Sequence, residues 1–186
     1  MQEIGNIGAG NAATALSELV HAQLQMSVPR VKILPFAEVS AEVGGGDAIL
    51  AAVLFQLSGD LDGMMYWILP LSSAQALIAQ FFDVQSSEWS EMSLSMLQEV
   101  GNIVAGAYLS AVCDFTDLRV YPTPPAMTVD MADAVLADGM IYAADEQDAV
   151  VLIETDLQAK QIELSGYFFI MPRAASLFTL LGALGV

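Results

Sequence analysis

The hexapeptide QEIGNI at residues 2–7 recurs as QEVGNI at residues 98–103. Each copy leads into an apolar run with helical spacing, at residues 9–19 after the first and 105–112 after the second. In both copies a glutamate precedes an asparagine by three residues, and side chains three apart on a helix are surface neighbours. The sequence therefore predicts two helices that each present a carboxylate beside a carboxamide.

The similarity between the two stretches extends well beyond the hexapeptide. At an offset of 96 residues, Gly10 aligns with Gly106 and Pro29 aligns with Pro125. Each asparagine is thus followed by a proline after the same interval of twenty-two residues. One Glu-x-x-Asn carries little information, but two copies with a proline at equal spacing indicate an internal duplication. We predict a single domain, residues 1–186, built from the pseudo-repeats 1–85 and 86–186.

These motifs resemble those of the CheC/CheX/FliY phosphatase family of bacterial and archaeal chemotaxis. The motif of that family is Asp or Ser, three residues, Glu, two residues, Asn, twenty-two residues and Pro. The second copy matches at every position, namely Ser95, Glu99, Asn102 and Pro125. The first copy matches at Glu3, Asn6 and Pro29, while its leading position falls before residue 1. The chain keeps two motifs, as CheC members of the family do, whereas CheX keeps one.

The resemblance implies a phosphatase that hydrolyses the aspartyl phosphate of a phosphorylated chemotaxis response regulator of the CheY type. We expect four catalytic residues, Glu3, Asn6, Glu99 and Asn102. The asparagines would orient the attacking water, and the resemblance implies that the glutamates pair with a lysine of the regulator. Ser95, Pro29 and Pro125 would be motif positions without a chemical step. We expect no cofactor or metal on this chain, with Mg²⁺ carried by the partner regulator.

Two other functions are compatible with the same residues. The chain could be a non-catalytic chemotaxis or flagellar-switch module that binds the CheY-type regulator or the receptor deamidase CheD. It could also be an unrelated acidic scaffold, in which case both asparagines would be free to vary. Turnover of phosphorylated regulator by catalytic amounts of the chain would separate the enzyme from the other two.

The composition of the chain limits which classes of molecule it can bind and where it can act. The formal net charge of −17 disfavours nucleic acid and anionic lipid, because both would be repelled. The acidity could aid solubility or reflect a salty cytoplasm, or it could favour a basic protein partner, which the family resemblance implies would be CheD. The most apolar window, residues 64–71, is of strand length, so we expect no membrane insertion. The single cysteine, Cys113, excludes an internal disulfide, and the polar start lacks a secretory pattern. We therefore expect a cytoplasmic protein.

The order of apolar runs and breakers predicts an α+β fold. Each half is expected to contain a helix, three strands and a closing helix. Three short strands cannot bury a sheet face alone, so the halves should join into one sheet of roughly six strands. Both long helices would then lie on one face, related by a pseudo-two-fold axis.

Three local features receive a sequence-based interpretation as well. The run GGGD at residues 44–47 predicts a hairpin turn, and the acidic segment 132–148 predicts an exposed loop. Glycines 5, 8 and 10 in the first helix have two readings of equal weight. They could allow close helix packing, or they could clear space for a partner beside Glu3 and Asn6.

Overall fold

The computed structural model describes residues 2–20, 24–27, 31–81, 89–143, 149–159 and 162–183. The first half contains α1 (Gln2–Val20), β1 (Leu24–Ser27), β2 (Val31–Pro35), α2 (Phe36–Glu42), β3 (Ile49–Gly59), β4 (Gly63–Pro70) and α3 (Leu71–Phe81). The second half contains α4 (Glu91–Thr116), β5 (Val120–Pro122), β6 (Ala126–Met131), α5 (Ala132–Ala143), β7 (Ala149–Ala159), β8 (Ile162–Pro172) and α6 (Ala174–Ala183).

One antiparallel sheet runs through the molecule in the order β1-β7-β8-β4-β3-β5. β2 pairs with β7 beyond the end of β1, and β6 pairs with β3 beyond the end of β5. Eight strand segments therefore occupy six positions across the sheet, which confirms the predicted sheet of roughly six strands. The edge segments of each half pair with the hairpin of the other half, so neither half closes its sheet alone.

The centre of the sheet is the antiparallel pair formed by β4 and β8. There Tyr66 lies opposite Phe169, and Trp67 lies opposite Phe168. An offset of 101 residues sets Trp67 equivalent to Phe168, and it keeps equivalent positions of β4 and β8 on the same face of the sheet. Exchanging the two hairpins therefore exchanges Trp67 with Phe168, which lie directly opposite each other. A local two-fold axis perpendicular to the sheet passes between these two residues.

Each face of the sheet buries its own apolar core. Successive residues of a strand point to opposite faces, so Trp67 and Phe168 contribute to one core while Tyr66 and Phe169 contribute to the other. The first core contains the buried residues of α1, α3, α4 and α6, and the second contains those of α2 and α5. Both long helices, α1 and α4, therefore lie on one face, as predicted.

The prediction of an exposed acidic loop at residues 132–148 is wrong for the part that the structure describes. Residues Ala132–Ala143 form α5, and residues 144–148 lie outside the described residues. Val135 and Leu136 are buried against the sheet, whereas Asp133 and Asp138 are exposed. The acidic residues are the solvent face of an amphipathic helix, and their number concealed the apolar face in the sequence.

The hairpin predicted at residues 44–47 is also wrong. The glycines follow the short helix α2 and connect it to β3. Gly44 and Gly45 have φ angles of 107° and 98°, and the Gly45 amide donates to the carbonyl of Ser40 at 2.8 Å. This left-handed geometry ends a helix and suits glycine. At the next residue, Gly46, an added Cβ would meet the carboxylate of Asp133 in α5, which would have to move aside.

Candidate functional site

Four motif side chains lie on the outer surface of the two long helices. Glu3 and Asn6 of α1, here called site 1, are both exposed, and so are Glu99 and Asn102 of α4, here called site 2. Their helices are otherwise well packed, since Ala9 and Val100 are fully buried at 0% exposure. The predicted exposure of all four side chains is confirmed.

The described residues offer these side chains no partner within the chain. Neither glutamate forms an ion pair there, and neither asparagine forms a hydrogen bond. A carboxylate can accept several hydrogen bonds, and a carboxamide can both donate and accept them. Each site thus holds an acceptor-only group and a donor–acceptor group whose hydrogen-bonding capacity is available to an external molecule.

The helix of site 2 is held in place by a close contact with the sheet at Gly101. A Cβ built on Gly101 would lie 2.6 Å from Cγ2 of Val53 in β3, so only glycine fits between them. The next residue, Asn102, is turned by about 100° around the helix and therefore projects away from the sheet. The glycine that precedes the asparagine in both copies of the motif has, at site 2, a packing function that the sequence could not show.

This contact predicts opposite effects for the same substitution at two positions of α4. Gly101→Ala should destabilise the fold by about 1–3 kcal/mol, because the added methyl group overlaps Val53. Gly106→Ala should instead stabilise it by roughly 0.5–1 kcal/mol, because alanine is the better helix former and nothing lies within 4 Å of the added Cβ. Urea unfolding of both variants measures the two changes. Equal signs would contradict the account of how α4 is seated.

A hydrogen bond from Gln98 links the start of the second motif to the motif proline, Pro125. Nε2 of Gln98 donates this hydrogen bond to the carbonyl oxygen of Pro125 at 2.7 Å. Pro125 lies between β5 and β6, so this bond links α4 to the entry of the strand that follows. It offers a physical reason for the fixed spacing between motif and proline. Gln98 is not among the functional residues predicted from the sequence, although the same residue type occupies position 2 of the first copy.

The remaining motif positions are placed as follows. Ser95 is exposed and lies one helical turn before Glu99, so that Ser95, Glu99 and Asn102 line one face of α4. The amide of Ser93 donates to the hydroxyl oxygen of the capping residue Ser90 at 3.1 Å, which fixes the start of this helix. Pro29 lies outside the described residues.

The described residues contain neither a membrane-spanning helix nor a cluster of metal-binding side chains. No helix among them is long and apolar enough to cross a membrane. In the same residues, no group of three or more His, Cys, Asp or Glu side chains is arranged to hold a metal ion.

Comparison with known proteins places the chain in a family. The CheC-like family model matches residues 1–33 and 92–129, which contain both motifs and both motif prolines. CheY-P phosphatase CheC of Bacillus subtilis is 35% identical over 192 aligned positions that cover 100% of this chain and 92% of the relative. The chain belongs to the CheC-like family. The family resemblance inferred from the two motifs is thereby confirmed.

Solved structures at low sequence identity share the fold. FliY of Thermotoga maritima matches with a TM-score of 0.80 at 18% identity, covering 99% of this chain and 93% of that chain. A chain of the CheX–CheY–BeF₃–Mg²⁺ complex from Borrelia burgdorferi matches with a TM-score of 0.54 at 13% identity, covering 89% and 96%. At these identities the matches establish the architecture, and the roles of individual residues remain predictions.

Proposed function

We propose that the chain is a phosphatase that hydrolyses the aspartyl phosphate of a phosphorylated CheY-type response regulator. The curated relative that aligns with the entire chain is named a CheY-P phosphatase. The observation that carries the proposal is the presence of two exposed Glu/Asn pairs on α1 and α4 that have no partner among the described residues.

The asparagine of each site is proposed to position the attacking water. An acyl phosphate is already reactive, so placing a water in line with the phosphorus accounts for most of what a catalyst can add. A carboxamide suits this task because it donates and accepts hydrogen bonds. It is also neutral, whereas a carboxylate at the same point would repel the phosphoryl oxygens. Asn6 and Asn102 therefore act on the water, without a covalent intermediate on this chain.

The glutamate of each site is proposed to dock the regulator. Glu3 and Glu99 lie one helical turn before the asparagines and are exposed. Pairing of this carboxylate with a lysine of the regulator would fix the helix relative to the phosphorylated aspartate. The regulator would carry its own Mg²⁺ beside the phosphoryl group, so this chain needs to supply only the docking carboxylate and the water-positioning amide.

The net charge and the single cysteine bear on where the chain acts and on which further protein it binds. We propose that the chain acts in the cytoplasm, where one unpaired cysteine is stable as a thiol. The net charge of −17 favours association with a basic protein, and CheD is the partner that we propose for this surface.

A non-catalytic binding module is the second candidate. The exposed glutamates, which have no ion-pair partner in the part of the chain that the structure describes, would serve docking equally well if no water were positioned. The two functions differ in a phosphate-release assay with the chain far below the concentration of phosphorylated regulator. An enzyme releases many phosphates per chain. A binding module slows release, or changes it only in proportion to the chain added.

A further inference from the structure

We infer that the two sites cannot act on two regulators at once, so that each chain processes one regulator at a time through either site. The inference rests on the proposed function and adds the relation between the sites. It follows from how α1 and α4 cross on the outer face of the sheet.

The two-fold axis at the centre of the sheet fixes the relative direction of the helices. An axis perpendicular to the sheet reverses any direction that lies in the sheet plane. α1 and α4 both pack on the same face of the sheet and against each other. They occupy equivalent places in the two halves, so they run antiparallel.

One close contact locates the point at which the helices cross. A Cβ built on Gly8 would lie 2.9 Å from the Cα of Tyr108, so the two backbones nearly touch there. The offset of 96 residues converts this pair into Val104 and Ala12, both of which are fully buried at 0% exposure. The crossing is therefore centred midway between these contacts.

Gly10 and Gly106 lie level with this crossing point. Both are exposed, and a Cβ built on either has nothing within 4 Å. A side chain at either position would therefore meet open space. Close helix packing, one of the two sequence-based readings, holds for Gly8, which is buried against Tyr108. The other reading, space for a partner, stays a prediction for Gly10.

The separation of the two sites follows from helix geometry. Asn6 and Asn102 each lie four residues before the glycine at the crossing, which is about 6 Å along the axis at 1.5 Å per residue. The helices are antiparallel, so these displacements are in opposite directions, and the axes are about 8–10 Å apart. The asparagines are therefore separated by roughly 15 Å.

That separation is too small for two protein partners. A specific interface buries about 800 Å² on each partner, which corresponds to a patch with a radius of about 16 Å. Two such patches centred roughly 15 Å apart overlap over much of their area. A folded domain of 100 residues has a radius of gyration of about 13 Å, so two of them centred over the sites would collide. A regulator docked at one site consequently covers the other.

Mutual exclusion has a kinetic signature when one site can dock but cannot turn over. In Asn102→Ala, site 2 retains Glu99 and captures regulator without hydrolysing it, which blocks site 1. Adding Glu99→Lys removes the capture by charge reversal and frees site 1. With equal affinities, kcat should rise about twofold from the single to the double variant, because half of the saturated chains were occupied unproductively. KM should rise by the same factor, leaving kcat/KM unchanged.

The test is steady-state phosphate release from phosphorylated regulator by Asn102→Ala and by Glu99→Lys/Asn102→Ala. The mirror pair, Asn6→Ala and Glu3→Lys/Asn6→Ala, should show the same pattern for site 2. Identical kcat values within both pairs would mean that the sites are independent. That result would overturn the inference of mutual exclusion and would leave the proposed function standing. Absence of turnover in wild-type chain would instead contradict the proposed function on which it rests.

The number of bound regulators gives a second readout. Sedimentation of wild-type chain with excess beryllofluoride-treated regulator should show one regulator per chain at saturation. Two regulators per chain would overturn mutual exclusion while leaving the phosphatase function standing.

Discussion

Replacing both Asn6 and Asn102 with alanine is expected to abolish dephosphorylation of the regulator while the fold and the docking glutamates persist. Both asparagines are exposed and form no hydrogen bond among the described residues, so their truncation removes none that the structure shows. Losing a group that acts only in the transition state lowers kcat/KM, and a loss of about a hundredfold or more is typical for one such donor. The double variant should therefore fall to the spontaneous rate of phosphate loss.

The single asparagine variants should differ in their effects. The contributions of two sites to kcat/KM add whether or not the sites exclude each other, so each single variant should retain the contribution of the intact site. Site 2 matches the family motif in full, including Ser95, so Asn102→Ala should cost more activity than Asn6→Ala. Asn11→Ala is the matched control, because Asn11 is an exposed asparagine of α1 outside the motif. A larger loss from Asn6→Ala would reverse the ranking of the sites without removing the mechanism.

The second large effect is expected from the glutamates. Glu3→Ala combined with Glu99→Ala should weaken both regulator binding and turnover, because the docking carboxylate is lost at both sites. Truncating one partner of a desolvated interfacial charge pair typically costs 2–5 kcal/mol, so we expect affinity to fall by about thirtyfold or more. In the wild type, binding should also weaken with added salt, since part of the attraction is screened.

A control pair of substitutions distinguishes the loss of a specific docking contact from a general loss of negative charge. Glu38→Ala and Asp138→Ala remove exposed carboxylates from α2 and α5, which cover the opposite face of the sheet. Isothermal titration with beryllofluoride-treated regulator should show a large loss for the motif pair and a small one for the control pair. Equal losses in the two pairs would mean that net charge, and not a specific ion pair, holds the regulator.

The long helices and the exposed motif side chains could be predicted because duplication doubled a weak local signal. A single Glu-x-x-Asn says little, but the repeated spacing to proline constrained both helices and the strand after each. The pairing of β1 and β2 with β7 could not be predicted in this way. It joins the edge of one half to the hairpin of the other, and this long-range register leaves no local mark in the sequence.

Two elements were predicted wrongly, each for its own physical reason, and one contact could not be predicted at all. In α5 the buried pair Val135 and Leu136 specifies a helix, but the flanking acidic residues obscured that pattern. Gly44 and Gly45 end α2, whereas glycines between apolar runs also suit hairpins, and the sequence alone does not separate the two. The packing of Gly101 against Val53 depends on how far α4 lies from the sheet, which only the assembled fold determines.

In the proposed mechanism the two asparagines position the attacking water, and the neighbouring glutamates dock the regulator. The decisive measurement follows phosphate release and regulator binding in the same samples of wild-type chain and of Asn6→Ala/Asn102→Ala. We expect many phosphates released per wild-type chain and only spontaneous release with the double variant, which still binds the regulator. Turnover by the double variant close to that of the wild type would contradict this mechanism.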